Sequence, residues 1–268
     1  MKRILVCVLF TLIGVLAASA QHGGVAARAY VLDMKGNSVL GGIESGKYLD
    51  AATVMKGYDS TTKYLGFLPS GRNGLEFSVD PKTEMDDICE GYYSFSKING
   101  IKTGIALGGS FNWNPQPRKV TSMVTTLKVY NKIVRDYLKT KGVTIAKPKI
   151  EQLYKADLDG DGTDEVILRA TDYKSFGASA RKNEYSFVMV RKIVNKRVEN
   201  FLVEGDFITN NLEFGAPNKH DVTGIADLNG DGKMEVVVYS EYYEGAGTAV
   251  YEINSSGPKM VLSNGCGV

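Results

Sequence analysis

The sequence predicts a mainly β protein of α+β type. It comprises an N-terminal antiparallel sheet, one amphipathic helix and two four-stranded repeats. Three observations carry this. Short β-type runs separated by Gly- and Asn-containing turns occupy both halves of the chain. One segment of helical periodicity interrupts them after Pro115 and Pro117. An acidic segment of 11 residues recurs at an offset of 70 residues, within matching strand patterns.

The 268 residues are 43% hydrophobic and 23% charged, as in a globular chain of one large or two small domains. The formal charge is +2, and both excess charges, Lys2 and Arg3, fall in a segment read below as removed. A neutral remainder argues against a nucleic-acid partner, which calls for a surplus of Lys and Arg.

Residues 1–20 have the form of an export signal. Lys2 and Arg3 precede an apolar run from Ile4 to Ala18, and Ala18-Ser19-Ala20 is a small-residue exit that would leave Gln21 first. The run is short of the ~20 residues that span a bilayer. No later segment approaches that length, so stable membrane insertion is not expected and the protein should reach the periplasm, cell surface or exterior. Cys89 and Cys266 would then meet oxidising conditions, either paired or as two free thiols.

In the N-terminal β domain, 21–114, the expected strands are Ala27–Leu32, Leu75–Val79, Tyr92–Phe95 and Ile101–Leu107. Asn37, Gly41-Gly42, Gly71-Asn73-Gly74 and Asn99-Gly100 have turn chemistry, and no helix of useful length is expected here. In the linker and helix, 115–147, Met123, Leu127, Tyr130, Val134 and Tyr137 or Leu138 recur at steps of four and three. Val120, Val124 and Ile133 widen that stripe, opposite Lys128, Lys132, Arg135, Asp136 and Lys139. Thr121 or Ser122 would cap the start and Gly142 the end. Such a helix packs on the sheets with a solvated polar face, or meets a membrane surface.

Residues 148–268 repeat. Ala156–Val166 matches Ala226–Val236 at 8 of 11 positions. Strands are expected at 149–156, 165–171, 185–193 and 197–204, and again at 219–226, 235–242, 247–253 and 258–263. Counted from the first Asp, positions 1, 3, 5 and 9 are Asp157, Asp159, Asp161 and Glu165, then Asp227, Asn229, Asp231 and Glu235. Position 7 is Thr163 or Lys233, where a backbone carbonyl can serve. Glycines at positions 4 and 6 allow the left-handed turns that curl such a loop. Oxygen-only ligands of this kind suit a hard cation, Ca²⁺, at two sites, and disfavour zinc or copper. Four carboxylates against three predict tighter binding by the first loop. An EF-hand does not fit, because position 12 is Leu168 or Val238 and a β-branched run follows each loop.

Asp157–Val166 and Asp227–Val236 resemble the calcium loops of FG-GAP (VCBS-type) repeats, the β-propeller blades of integrin alpha subunits and many secreted bacterial proteins. The resemblance covers the chain from Ile150 onward. It implies that positions 1, 3, 5, 7 and 9 bind Ca²⁺ between the first two strands of a blade. It favours two blade-like units packed with the helix and the N-terminal sheet, or alternatively a small β-propeller with N-terminal strands as further blades.

Catalytic motifs are sparse, and no catalytic residue is assigned. The two histidines are His22, near the new N-terminus, and His220, read as solvated at a strand end. There is no Gly-x-Ser-x-Gly elbow, His-Glu-x-x-His or phosphate-binding loop. Carboxylate-only hydrolysis needs no His, and Glu241-Tyr242-Tyr243-Glu244 is the most suggestive cluster for it. The expectation is thus an exported calcium-binding module for an extracellular or periplasmic protein or glycan. A secreted carboxylate-dependent hydrolase is the alternative.

Overall fold

The computed structural model describes residues 28–83, 89–100, 104–174 and 177–267. The export segment, His22 and residues 101–103 of one expected strand lie outside them.

The elements are β1 (Arg28–Asp33), β2 (Ser38–Glu44), β3 (Lys47–Asp50), α1 (Ala51–Met55), β4 (Tyr64–Leu68), β5 (Gly71–Phe77), β6 (Lys82–Thr83), β7 (Tyr93–Ser94) and β8 (Ile105–Ser110). They continue with β9 (Thr121–Ser122), α2 (Lys128–Thr140), β10 (Ile150–Ala156), β11 (Glu165–Thr171), β12 (Tyr185–Val194) and β13 (Arg197–Phe207). The last are β14 (Lys219–Ala226), β15 (Glu235–Tyr242), β16 (Gly245–Asn254) and β17 (Gly257–Gly267). The protein is mainly β, in antiparallel sheets of which none closes into a barrel. The N-terminal sheet runs β5-β4-β8-β1-β2-β7-β6, with β3 also on β2. A middle sheet runs β13-β12-β11-β10-β9, and a C-terminal sheet β14-β15-β16-β17.

Apolar layers join these sheets face to face. Ala156, Leu158, Ile167 and Val190 of the first repeat pack with Ile225, Val236 and Tyr251 between the middle and C-terminal sheets. Ala226, Leu228, Val237 and Val250 of the second repeat pack with Val31, Leu40, Ile105 and Leu107 between the C-terminal and N-terminal sheets. The same four repeat positions therefore face the next sheet each time. Each fully buried aliphatic side chain contributes about 1.5–3 kcal/mol. The outer face of the middle sheet is covered by Val134 and Leu138 of α2, with Tyr130, Ile133 and Tyr137 half-buried beside them, while Leu127 of the predicted stripe stays exposed.

The helix begins later than its periodicity predicts. Thr121 and Ser122 do not cap it; they pair as β9 with Lys155 and Tyr154. The N-cap is Leu127, with no side-chain cap. Val120 is buried in the sheet–sheet layer, while Val124 is 65% exposed, so neither widens the helical stripe. The predicted stop holds: Gly142 has φ +78°, just past the C-cap Lys141.

Two predicted turns are strands. Gly71–Gly74 lies within β5, and the reversal falls on Pro69-Ser70. Gly41-Gly42 lies inside β2. There a Cβ on Gly42 would sit 2.4 Å from Val54 Cγ2 of α1, so the glycine admits a helix against the sheet rather than turning the chain. That helix has five residues, and Asp50 caps it by accepting from Thr53 N at 2.6 Å.

Candidate metal centres in the repeated loops

The loops join β10 to β11 and β14 to β15, and their internal hydrogen bonds match. In the first, Asp157 Oδ1 accepts from Gly160 N at 2.7 Å and Oδ2 from Gly162 N at 3.1 Å. In the second, Asp227 accepts from Gly230 N at 2.7 Å and Gly232 N at 2.9 Å. Thr163 N donates to Asp161 Oδ1 at 2.7 Å, as Lys233 N does to Asp231 Oδ1 at 2.8 Å. Glu165 and Glu235 each accept from the residue after the first Asp, Leu158 N and Leu228 N, at 2.8 Å. Glycine φ values of +79° and +85° in one loop and +79° and +84° in the other provide the curl. Two separate sequences thus build one cage in which carboxylate and amide oxygens line a short arc.

Not all ligand positions are equally enclosed. Asp157, Asp159 and Glu165 bring one oxygen each within 4.8 Å of one another. Glu165, Asp227 and Glu235 are buried, whereas Asp161, Asp231 and Lys233 are exposed and Thr163 and Asn229 half-buried. Asn229 Oδ1 accepts from Asp231 N at 3.0 Å. Asp159 Oδ1 is buried without a hydrogen-bond partner.

The surroundings of the two cages differ. Arg118 donates from Nε to the Asp157 carbonyl at 2.5 Å and from Nη2 to the Leu158 and Gly232 carbonyls at 2.9 and 2.7 Å. At the second loop Trp113 Nε1 donates to the equivalent carbonyl, Asp227 O, at 3.0 Å. Lys192 of β12 enters the first loop, with Nζ 2.7 Å from both Asp159 Oδ2 and Glu165 Oε1. The equivalent residue in the second repeat is Glu252: Arg191 pairs with Val166 as Tyr251 pairs with Val236. The Tyr48 hydroxyl, shielded from solvent, lies against Glu235.

Charge follows these neighbours. Burial alone would raise Asp159, but the Lys192 ammonium holds it below its usual value. Burial raises Glu165 despite the same ammonium. Burial, together with the charges of Asp231 and Asp227, pushes Glu235 up to about 8 against the hydrogen bond from the Leu228 amide. Sequence reading missed Lys192, Arg118, Trp113, Tyr48 and Glu252, all of which lie outside the loop motif.

Oxygen-only donor sets on matching cages fit a hard cation such as calcium. In the second loop no ammonium is hydrogen-bonded to the four carboxyl and amide groups among the described residues, but Asp227, Asp231 and Glu235 do not converge within 4.8 Å of one another as the first-loop carboxylates do. In the first, two ligand oxygens already face Lys192.

His220 is not solvated as the sequence suggests. It is 2% exposed, with Nδ1 2.7 Å from Ser240 Oγ and Nε2 3.2 Å from Asp206 Oδ2. The packed end of the sheets and Asp206 from β13 enclose it. His220 and Ser240 are cross-strand partners on β14 and β15. β15 is an inner strand, so its amides serve the ladder rather than an oxyanion. A cleft of about 600 Å³ lies beside them, lined by Ser240, Tyr242, Asn264 and, as its one carboxylate among the described residues, Glu204. Carboxylate-pair hydrolysis requires two. Tyr242 and Tyr243 pack edge to face, 6.0 Å apart.

Comparison with protein-family models, with curated proteins and with solved structures returns no match to this chain. Cys89 and Cys266 form a disulfide, which points to an oxidising, non-cytoplasmic setting. No helix among the described residues is long and apolar enough to cross a membrane.

Proposed function

We propose that this is an exported calcium-binding β-repeat protein, of FG-GAP/VCBS type, that acts as a binding or structural module for an extracellular or periplasmic protein or glycan. The observation that carries this reading is the duplicated cage: the same four backbone-to-carboxylate contacts, made by two sequences, holding oxygen ligands at the same end of two four-stranded units. An isolated acidic turn has no reason to recur in register with its strands. The apolar N-terminal run and the Cys89–Cys266 bridge support export. The packing of repeat-equivalent residues onto the next sheet supports blade-like units.

Calcium bound only by the folded state stabilises it by mass action. Chelation of the purified protein should therefore lower its melting temperature, and readdition should restore it. Absence of both a calorimetric heat and a thermal shift at millimolar calcium would reject the reading.

A further inference from the structure

We infer that the two loops hold different cations: the Lys192 ammonium is the resident cation of the first loop, and calcium binds in the second. This rests on the calcium reading above and narrows it to one ion per chain.

The position of Lys192 follows from the strand. Val188, Val190 and Lys192 alternate along one face of β12, and the two valines lie in the layer between the middle and C-terminal sheets. A lysine on that face is buried, here to 6% exposure, and a buried ammonium must be paired. Its partners are Asp159 and Glu165, positions 3 and 9 of the first loop, each at 2.7 Å. A calcium ion would need those same oxygens, and a second positive centre beside the ammonium is repelled. Arg118 adds another cation, 3.9 Å from Asp157 Oδ2 at position 1.

The second repeat differs at two of these places, although Arg118 also donates to the Gly232 carbonyl of its loop. Glu252 replaces Lys192, and neutral Trp113 replaces Arg118 on the loop carbonyl. A cavity of about 300 Å³ is lined by Asp231, Lys233, Glu235 and Glu252 from this repeat and by Asp159 and Lys192 from the other, so its second-repeat side carries three carboxylates against one ammonium. The nearest pairing of Glu252 is an exposed one with Lys259 at 3.6 Å. Ligand counting within the motif favours the first loop; the third strands overturn that order.

Titration calorimetry with Ca²⁺ alone should give one site in the wild type and two in Lys192→Met. Removal of the ammonium frees Asp159 and Glu165, and Asp159 Oδ1 is already buried without a partner. Lys192→Gln should also give two; it removes the charge but keeps a donor toward Glu165 and guards against failure of the Met variant to fold, which circular dichroism checks. Glu235→Ala should abolish the wild-type site and Glu165→Ala should leave it.

Tb³⁺ supplies the location. Trp113 is the sole tryptophan and packs on Gly230, so terbium emission sensitised by it reports the second loop. That emission should appear in the wild type and vanish in Glu235→Ala.

Two calcium ions in the wild type, or one site lost with Glu165→Ala and kept with Glu235→Ala, would overturn the inference and leave the calcium reading standing. A single site that stays single in both folded Lys192 variants would remove Lys192 as the occupant. A wild type that binds none while the Lys192 variants bind one would remove the second-loop assignment. No binding in any of these proteins overturns the calcium reading and the inference together.

Discussion

The side-chain amide of Gln152 exchanges two hydrogen bonds with the backbone of Val222, donating to its carbonyl and accepting from its amide, both at 2.9 Å. The two residues stand 70 positions apart, the repeat offset. The β14–β15 register slips between Val222 and Gly224, which releases backbone groups from the ladder, and Gln152 of the middle sheet completes them. Gln152→Met should leave both groups unpaired at a buried residue. The expected loss is about 1–3 kcal/mol per group left without water or another partner. Urea unfolding of the variant reads it. A loss under about 0.5 kcal/mol would mean that water replaces the amide without penalty.

The Cys89–Cys266 bridge spans 177 residues and ties the end of β17 to the N-terminal region. Cross-linking so long a loop restricts the unfolded chain, and removal of a native bridge typically costs about 2–5 kcal/mol. Cys89→Ser, Cys266→Ser and the double variant should lose the same stability as the reduced wild type. Thermal melts with and without reductant compare them. A bridge that adds nothing would leave the reduced and oxidised melting points equal.

Asp33 links the first strand to the second repeat. Its carboxylate accepts from Thr248 Oγ1 at 2.8 Å, across 215 residues, and from Lys35 N and Gly36 N at 2.9 Å. Burial raises its pKa above 3.8, and these hydrogen bonds only partly oppose that. A carboxyl whose folded value is raised favours folding when protonated, so this contribution is lost as pH climbs from 3.8 through the folded value. Thr248→Val removes one opposing bond. It should therefore cost little in acid and about 1.5–3 kcal/mol once Asp33 is ionised. Denaturant midpoints of wild type and variant across a pH series give the difference; a difference that shrinks with rising pH would reverse the sign.

The C-terminal half was legible because it occurs twice. Its loops and strands align at a constant offset from Ile150 to Val166 and from His220 to Val236, and the observed strands begin within two residues of the expected positions. The offset then changes: Val166 corresponds to Val236, but Arg191 to Tyr251, because the connection before the third strand is shorter in the second repeat. Sliding the sequence by 70 sets Lys192 against Leu262 and conceals Glu252. Strand pairing alone reveals that Glu252 is the register equivalent of the lysine that enters the first loop. The N-terminal sheet was less legible for a different reason. Gly42 is required by the approach of Val54, not by a turn, and single-sequence reading cannot distinguish the two uses of glycine. Val120 misled in the same way, since an apolar residue facing a sheet–sheet layer extends a helical stripe by accident of spacing.

The loop glycines provide a test of the cage itself. All four at positions 4 and 6 have positive φ, so alanine at any of them carries backbone strain of about 1–2 kcal/mol. Their surroundings separate them further. A Cβ at Gly162 or Gly232 meets nothing within 4 Å. At Gly160 it would approach Arg118 Nη1 at 3.2 Å, the end of a side chain that can shift. At Gly230 it would lie 2.9 Å from Trp113 Cδ2, in a ring fixed by its hydrogen bond to the Asp227 carbonyl and by packing on Phe111 at 5.2 Å. Overpacking against such a ring adds about 1–3 kcal/mol. The expected order of destabilisation is Gly162→Ala and Gly232→Ala least, Gly160→Ala intermediate and Gly230→Ala greatest, at about 2–5 kcal/mol. Denaturant unfolding ranks the four in calcium-free buffer, where metal binding does not enter. Only Gly230→Ala should also shift the emission of Trp113 in the folded state. If Gly160→Ala proved the costlier of the pair, Arg118 rather than Trp113 would be the rigid wall, held in place by the three carbonyls it bridges.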